Sequence, residues 1–254
     1  MVSLAEEDDR KAIGLPYDHS KYEGRRNFLR WLLDQVVFRF LAKIESVEGL
    51  NNIPLLGPGI VMINHIGLID PFVVLGQLPR NVIPMAKAEA FHFPLIGIIP
   101  RIWGAIPVHR EGFDRTALRM AFAVLKAGEL IMIAPEGTRN PYLQNAREGT
   151  AYLASKADVP IIPAVVTGTP DFPSLNPKKW RNSGISVRIG RPIQFHQVPR
   201  KRSREMLRKM TDELMYVLAA LLPQELRGEY ANLDLATSET YAILDAEISV
   251  EGKM

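Results

Sequence analysis

The chain contains no cysteine among its 254 residues. Disulfide bridges, thiolate metal sites and a cysteine acyl-enzyme are therefore excluded, and the composition suits a reducing compartment. Histidine is a poor source of metal ligands here as well, because no two of its five copies stand at helical spacing. These five are His19, His65, His92, His109 and His196. We expect no bound metal and no bound cofactor.

The sequence also lacks an apolar run that could cross a membrane. The longest uncharged stretch, residues 51–69, is interrupted by Pro54, Gly57, Pro58 and Gly59 and carries Asn64 and His65. A strand and a turn explain it better than a transmembrane helix does. The acidic amino terminus lacks the basic-then-apolar order of a secretory signal. We therefore expect a cytoplasmic protein, with any membrane contact peripheral to the cytoplasmic face of the membrane.

Strand-like apolar runs alternate with helix-like segments along the chain. The composition, 47% hydrophobic and 23% charged, is that of a globular domain. The alternation predicts an α/β fold with a mostly parallel central sheet flanked by helices. We predict strands at residues 60–64, 81–86, 104–108, 130–134, 161–167 and 186–189, and helices at 71–77, 115–127, 146–156 and 203–222. Residues 1–26 form a polar extension, 27–222 one domain, and 223–254 a tail that either folds over the domain or meets another subunit.

Residues 27–46 carry a broad apolar face with charged residues between its members. Aromatic residues on one side and basic residues on the other are typical of an amphipathic helix that lies in the bilayer interface. A helix that packs on the core is the alternative. We expect this amphipathic helix to associate with an anionic membrane surface.

His65 follows the apolar run at residues 60–63 and precedes Asp70 and Pro71. Asp-Pro is typical of a helix N-cap with proline in the first turn, so His65 is predicted in a strand-to-helix turn. One ring nitrogen can then face a substrate while the other donates to the Asp70 carboxylate, which fixes the tautomer and supports the imidazolium. The alternative is that Asp70 only caps the helix and His65 is an ordinary loop residue.

Further clusters fall at the carboxyl ends of predicted strands, where α/β folds gather their chemistry. Arg110 follows one strand, and Glu136, Gly137 and Arg139 follow another. Arginine can bind two oxygens of a phosphate or carboxylate, and glycine lets backbone amides approach the same anion. Glu136 can orient an arginine or bond a substrate hydroxyl. The pattern indicates a site where a base deprotonates an alcohol on a phosphate-bearing substrate.

Each of these features has a simpler explanation. Arg139 can form a structural ion pair with Glu136 or Glu148, and residues 136–138 can be an ordinary turn. Both alternatives stay open when each cluster is considered alone.

Taken together, the segments resemble the glycerolipid acyltransferase family. Four blocks stand in the family's order: Asn64-His65-x4-Asp70, residues 104–110, Glu136-Gly137-Thr138-Arg139, and residues 159–163 with the sequence Val-Pro-Ile-Ile-Pro. Each block alone is weak, but four in order over about a hundred residues are specific. The chain before residue 27 and after residue 222 lies outside the resemblance.

The resemblance implies that residues 27–222 form an acyltransferase domain, with His65 as general base for an acceptor hydroxyl and Asp70 as its partner. It also implies a set of residues that bind the acceptor's phosphate, namely Arg110, Glu136, Gly137, Thr138, Arg139 and Lys87. Pro163, in the fourth block, suits strand geometry better than acyl-donor binding. Two positions depart from the family pattern and put the acceptor's identity in doubt: His109 stands where an acidic residue commonly precedes the arginine, and Ala134 replaces an aromatic residue.

The implied reaction moves a fatty acyl group to the free hydroxyl of a lysophosphatidate-type acceptor in phospholipid biosynthesis. Acyl-coenzyme A or an acyl-carrier protein would serve as co-substrate. Gly67 can help to supply the oxyanion's donors or only shape the turn. The sequence has no Gly-x-Ser-x-Gly motif, which disfavours a serine acyl-enzyme. The alternatives are an acyltransferase for glycerol-3-phosphate or another lysophospholipid, a lipid esterase or thioesterase, and a non-catalytic lipid-binding protein.

Two other stretches carry alternatives. Residues 178–209 are densely basic, which fits anionic lipid headgroups, an acidic carrier protein, coenzyme A phosphates or simply a solvated helix face. Nucleic acid is not expected, because no recognition module accompanies the charge. Residues 90–103 are apolar and either contribute to an acyl-chain tunnel, form a membrane-facing ridge or pack on the sheet.

Overall fold

The computed structural model describes residues 18–93, 97–109, 114–176, 178–179, 184–196 and 203–245. These residues form a nine-stranded sheet with helices on both faces. The strands are β1 (Ile44–Glu48), β2 (Gly59–Ile63), β3 (Val82–Lys87), β4 (Ile106–Val108), β5 (Leu130–Ile133), β6 (Ile161–Thr167), β7 (Ile185–Ile189), β8 (Ile193–Phe195) and β9 (Tyr241–Ile243). The α-helices are α1 (Ser20–Leu32), α2 (Asp70–Gln77), α3 (Ile98–Trp103), α4 (Arg115–Lys126), α5 (Gly149–Ala157) and α6 (Arg204–Leu221).

The main sheet has the strand order β1-β7-β6-β2-β5-β3-β4. The five strands β6, β2, β5, β3 and β4 are parallel, whereas β7 runs antiparallel to β6. The carboxyl ends of the five parallel strands therefore meet along one border of the sheet, which we call the carboxyl edge. This arrangement confirms the predicted α/β fold with a mostly parallel sheet, and it brings the loops after β2, β3, β4 and β5 to the same edge.

Both faces of the sheet are buried, as expected for parallel strands with near-continuous apolar sequences. One face packs on α4, α5 and α6 through residues such as Val124, Leu153 and Leu214. The other face packs on α2 and α3 through Val73, Val74 and Trp103. Every residue of β2 is buried, so this strand holds the loop that follows it in a fixed place.

The predicted strands are confirmed with shifts of one or two residues at their ends, and β6 has the predicted bounds. Three strands were not predicted, namely β1, β8 and β9. They lie at the margins of the sheet, and β8 and β9 contain three residues each, which is too short for an alternating pattern to show. Residues 44–46, predicted as the end of a helix, instead begin β1.

The amphipathic helix also begins earlier than predicted. It starts at Ser20 and continues from Leu33 to Leu41 as a π-helical segment, so the predicted bounds 27–46 are wrong at both ends. The buried Arg26 explains the early start, because its Nε donates to the carbonyl oxygen of Trp103 at 2.7 Å and ties the helix to α3. No helix in the described part of the chain is long and apolar enough to cross a membrane.

The described part of the tail, residues 223–245, folds back over the domain, as the first of the two predicted alternatives expects. Tyr230 is buried and stands edge-on to Tyr216, with 5.1 Å between the ring centroids. The segment then adds β9 to β8. Its anchor is the buried Glu213, whose carboxylate accepts hydrogen bonds from the segment that begins at Thr237.

Candidate active site

His65 lies in the turn that connects β2 to α2, at the carboxyl edge. The preceding residue, Asn64, is buried and is locked to the neighbouring strand β6. Its side-chain amide donates to the carbonyl oxygen of Val166 at 2.9 Å and accepts from the backbone N–H of Val166 at 2.8 Å. The backbone that leads into His65 is thus fixed by two hydrogen bonds to a buried strand.

The His65 ring is paired with Asp70. Its Nδ1 lies 3.2 Å from Oδ2 of Asp70, and its side chain is 19% exposed whereas that of Asp70 is fully buried. The same Oδ2 accepts the backbone N–H groups of Ile66 at 2.6 Å and Gly67 at 2.8 Å. A proton on Nδ1 donates to this carboxylate, which leaves Nε2 as the ring atom able to take a proton. The structure therefore brings His65 and Asp70 together as the sequence predicts.

Asp70 does not act as the helix N-cap that the sequence predicts. Ile69 occupies the cap position without a side-chain cap, and Asp70 is the first residue of α2. Its carboxylate instead points back to the turn and accepts the N–H groups there, because those donors would otherwise be left unpaired. The acid thus holds both the turn and the imidazole.

Glu136 follows β5, in a loop that lies beside the backbone of His65. Its carboxylate accepts the backbone N–H of Gln144 at 2.8 Å and lies close enough to the backbone N–H of His65 for that group to lower its pKa. From the same loop, the N–H of Asn140 donates to the carbonyl oxygen of His65 at 2.9 Å. Burial raises the pKa of Glu136 to about 7, although the hydrogen bonds oppose that rise. Because Glu136 is 7% exposed and engaged with backbone, its contact with an acceptor phosphate stays a prediction.

The loop after β5 also presents the other residues of the third block. Gly137 has φ +69°, a left-handed conformation that glycine adopts at little cost, and its N–H closes a turn to the carbonyl oxygen of Ala134. Thr138 and Arg139 are exposed. Neither predicted ion pair of Arg139 forms, since Glu136 bonds backbone groups and Glu148 lies 3.9 Å from Arg208. Arg139 directly precedes Asn140, whose backbone N–H contacts His65, and its exposed side chain has no acidic partner among the described residues.

Two further predicted cations belong to strands on the far side of β5. Lys87 ends β3, is exposed, and pairs with Glu89 at 3.0 Å. It stands two strands from His65, about 10 Å at the usual strand spacing. Arg110 follows β4, which is paired to β3, but Arg110 itself lies outside the described residues.

The basic stretch 178–209 is largely neutralised where the structure describes it. Five of its cations pair with acids from elsewhere in the chain, namely Lys179 with Asp171, Arg188 with Glu48, Arg191 with Asp245, Arg208 with Asp212 and Lys209 with Glu239. This pairing favours the solvated structural interpretation for these five residues. Arg181 and residues 200–202 lie outside the described part of the chain.

The apolar segment 90–103 has two different ends. Trp103 is buried, and its indole N–H donates to the carbonyl oxygen of Val82 at 2.9 Å, so this end packs on the core. Phe93 and Ile98 are 61% and 57% exposed. Core packing therefore explains one end only, and the exposed end is available for another contact.

Sequence reasoning missed two supporting features of the site. The loop after β5 holds the His65 backbone through Glu136 and Asn140, and the end of β6 holds Asn64. A signal for the second was present, because Asn64 is a polar residue at the end of a fully apolar strand and must find partners there.

Comparison with known proteins finds similarity to acyltransferases. The family model described as Acyltransferase matches residues 45–167, the stretch that contains β1 to β6 and the described site. The 1-acyl-sn-glycerol-3-phosphate acyltransferase of Bacillus subtilis is 28% identical over 66% of this chain and 83% of that protein. The Borreliella burgdorferi protein of the same name is 31% identical over 56% of this chain and 58% of that protein.

Other relatives are longer than this chain. The match to the human 1-acyl-sn-glycerol-3-phosphate acyltransferase alpha is 26% identical over 65% of this chain and spans 60% of the human protein. Among solved structures, the 1-acyl-sn-glycerophosphate (LPA) acyltransferase from Thermotoga maritima aligns with this chain at a TM-score of 0.57 and 23% sequence identity. The alignment covers 92% of this chain and 90% of the Thermotoga maritima chain. At that identity the structural likeness supports the fold.

Proposed function

Since residues 45–167 match the Acyltransferase family model, we propose that this chain transfers a fatty acyl group from an acyl thioester to the free hydroxyl of a lysophosphatidate-type acceptor, as a step of phospholipid synthesis. The names of the Bacillus subtilis and human relatives support this acceptor class. The observation that carries the proposal is the paired, partly exposed imidazole of His65 beside the buried Asp70, at the same sheet edge as Arg139.

In this proposal His65 is the general base. The acceptor hydroxyl gives its proton to Nε2 while its oxygen attacks the thioester carbonyl carbon. Asp70 stabilises the imidazolium that forms, because its carboxylate is hydrogen-bonded to Nδ1. The tetrahedral intermediate then collapses with cleavage of the carbon–sulfur bond, and the imidazolium returns the proton to the departing thiolate. The reaction needs no bound cofactor, and acyl-coenzyme A or an acyl-carrier protein is the proposed donor.

The acceptor's phosphate is proposed to bind at the loops after β3, β4 and β5. Arg139 supports this assignment because it is exposed, lacks an acidic partner among the described residues and adjoins the loop bonded to His65. Gly137, Thr138, Arg110 and Lys87 complete the proposed set. Glu136 is proposed to contribute indirectly, because its carboxylate lies beside the backbone N–H of His65.

The amphipathic helix is proposed to lie on the surface of the membrane that contains the acceptor. Phe28, Trp31 and Phe40 are 60%, 57% and 61% exposed, although apolar side chains of this size are normally buried. The guanidinium of Arg39 lies 5.9 Å from the centre of the Phe40 ring, so a cation accompanies the aromatic face. Aromatic and basic residues side by side favour an anionic bilayer interface.

An acceptor-dependence assay tests the proposal. The purified chain receives an acyl-coenzyme A with or without lysophosphatidate, and thiol release is recorded. Release that requires lysophosphatidate, with phosphatidate as the product, supports the proposed transfer. Release of equal rate without any acceptor indicates a thioesterase, and no release with either an acyl-coenzyme A or an acyl-carrier protein indicates a lipid-binding protein. A parallel panel with glycerol-3-phosphate and other lysophospholipids identifies the preferred acceptor.

A further inference from the structure

Two buried oxygen atoms beside the candidate base have no hydrogen-bond partner among the described residues. One is Oδ1 of Asp70 and the other is Oγ1 of Thr169. Both residues are fully buried. Buried polar atoms are nearly always hydrogen-bonded, either to protein or to an ordered water molecule. These two atoms do not bond each other directly, so their closeness indicates one bound water molecule that serves both.

The fold places these two atoms around one residue of the His65 turn. Thr169 follows β6, the strand whose Val166 already holds Asn64. A Cβ atom built on Gly67 would lie 2.7 Å from Oγ1 of Thr169 and 3.3 Å from Oδ1 of Asp70. The hydroxyl and the carboxylate oxygen thus approach the same point of the turn, and the glycine at position 67 lets the β6 loop pack against it.

The other carboxylate oxygen of Asp70 is already occupied. Oδ2 accepts the N–H groups of Ile66 and Gly67 and lies beside Nδ1 of His65. Three contacts thus hold one oxygen of the carboxylate, whereas the other oxygen has no donor among the described residues. A donor on Oδ1 would hold that oxygen as well, and the Thr169 hydroxyl is a donor within the same buried space.

We propose that Thr169 is a positioning residue for the catalytic pair, its hydroxyl donating to Oδ1 of Asp70 through one bound water molecule. Thr169 does not touch the substrate. It acts by holding the Asp70 carboxylate, and through it the His65 imidazole, in the orientation that proton transfer requires. The catalytic consequence rests on the proposed acyl transfer, whereas the contact itself does not.

Kinetics of two Thr169 variants test the role. Thr169→Val keeps the shape and removes the hydroxyl, whereas Thr169→Ser keeps the hydroxyl. Because one hydrogen bond to a charged group is lost, we expect kcat of Thr169→Val to fall about tenfold with an unchanged KM for lysophosphatidate, and Thr169→Ser to retain most of the activity. Thr211→Val is the matched control, since Thr211 is equally buried but its hydroxyl donates within α6 to Leu207. A kcat of Thr169→Val equal to that of Thr211→Val, or a Thr169→Ser as slow as Thr169→Val, would overturn the proposal.

A double-mutant cycle separates positioning from general damage. In an Asp70→Asn background, Thr169→Val should cause no further loss of kcat, because the group that it positions is already gone. A second tenfold loss there would contradict the proposed route through Asp70. Melting temperatures are recorded for each variant, and Thr169→Ala is carried alongside so that the conclusion does not depend on the stability of one substitution.

A spectroscopic measurement distinguishes this proposal from the proposed acyl transfer. The ¹H NMR resonance of the Nδ1 proton of His65, identified by its absence in His65→Ala, reports the bond to Asp70 without any turnover. We expect Thr169→Val to move or broaden this resonance, and Thr169→Ser and Thr211→Val to leave it in place. An unmoved resonance in Thr169→Val overturns the Thr169 role even in an active enzyme. A wild-type chain without acyl transfer overturns the proposed function but leaves this result meaningful.

Discussion

At the scale of single residues, Glu136 shows how the fold changes the chemistry of a side chain. Its carboxylate lies between the loop after β5 and the backbone of His65, and burial raises its pKa from the ordinary 4.5 to about 7. Between these two pH values the folded protein holds a proton on Glu136 that the unfolded chain has released. The contribution of Glu136 to folding stability therefore decreases as the pH rises from about 4.5 to about 7.

Substitution of Glu136 by glutamine tests this linkage. Glutamine keeps an acceptor for the N–H of Gln144 but cannot ionise, so Glu136→Gln should lack this part of the pH dependence. We expect the melting temperature of the wild type minus that of Glu136→Gln to decrease as the pH rises from 5 to 8. Thermal unfolding of both proteins across this range provides the measurement. A difference that stays constant over the range would show that Glu136 does not titrate there.

The residue scale also shows what a sequence can and cannot reveal. The pairing of His65 with Asp70 was predictable, because five residues across a strand-to-helix turn bring the two side chains together locally. The contacts of His65 with Glu136 and Asn140 were not predictable. They depend on how a loop about seventy residues later crosses the turn, and such long-range placement leaves no local pattern.

At the scale of elements, the amphipathic helix has a buried side and an exposed aromatic side. Arg26 is buried against Trp103, and the guanidinium of Arg30 donates to the carbonyl oxygen of Leu78, so these contacts bind the helix to the domain. Phe28 and Trp31 stack on each other on the outside, with 6.0 Å between the ring centroids. The outer faces of this stacked aromatic pair are apolar surface exposed to water, which membrane insertion would bury.

A variant without the exposed aromatic residues tests the membrane proposal. Phe28→Ser, Trp31→Ser and Phe40→Ser combined should weaken binding to anionic vesicles at least about tenfold, because each buried aromatic ring contributes about 1.5–3 kcal/mol. The melting temperature should change little, since more than half of each side chain is already exposed. Vesicle co-sedimentation with phosphatidylglycerol-containing lipid measures the binding.

Leu235→Ser combined with Ile243→Ser is the matched control for that experiment. These tail residues are similarly exposed, at 64% and 54%, but lie away from the helix. If the control loses vesicle binding as much as the helix variant does, then general surface hydrophobicity and not the helix explains the binding.

The boundaries of elements were less predictable than their types. The apolar pattern at residues 27–46 correctly predicts a helix, but hydrophobicity alone gives no reason for a start at Ser20, which depends on the buried Arg26. Likewise, the residues of β1 are half-buried or exposed without strict alternation, and only their pairing with β7, some 140 positions away, makes them a strand.

At the scale of the whole molecule, the tail and the domain form one unit through Glu213. Its carboxylate lies in α6 and accepts hydrogen bonds from Thr237, Glu239 and Thr240. These donors lower the pKa of Glu213 although burial opposes them. The ionised form therefore stabilises the fold above the ordinary pKa of a glutamate, and this contribution is lost as the pH falls through the lowered value.

Removal of this anchor should loosen the tail. In Glu213→Ala the backbone N–H groups of Glu239 and Thr240 lose their acceptor, so hydrogen exchange in residues 237–243 should become at least about tenfold faster, while β2 keeps its protection. Hydrogen exchange followed by mass spectrometry gives both values in one experiment. Glu225→Ala, an exposed glutamate in the same tail, serves as the control, and equal exchange in the two variants would contradict the anchoring role.

The central claim is that His65, held by Asp70, removes the proton from the acceptor hydroxyl at the carboxyl edge of the sheet. The most direct measurement is the kcat of lysophosphatidate acylation in His65→Ala, with the melting temperature recorded beside it and His196→Ala, an exposed histidine, as control. Because a general base commonly contributes several orders of magnitude, we expect kcat to fall about a thousandfold while the melting temperature stays within a few degrees of the wild type and His196→Ala remains active. A His65→Ala protein that is folded and transfers acyl groups at the wild-type rate would contradict the claim.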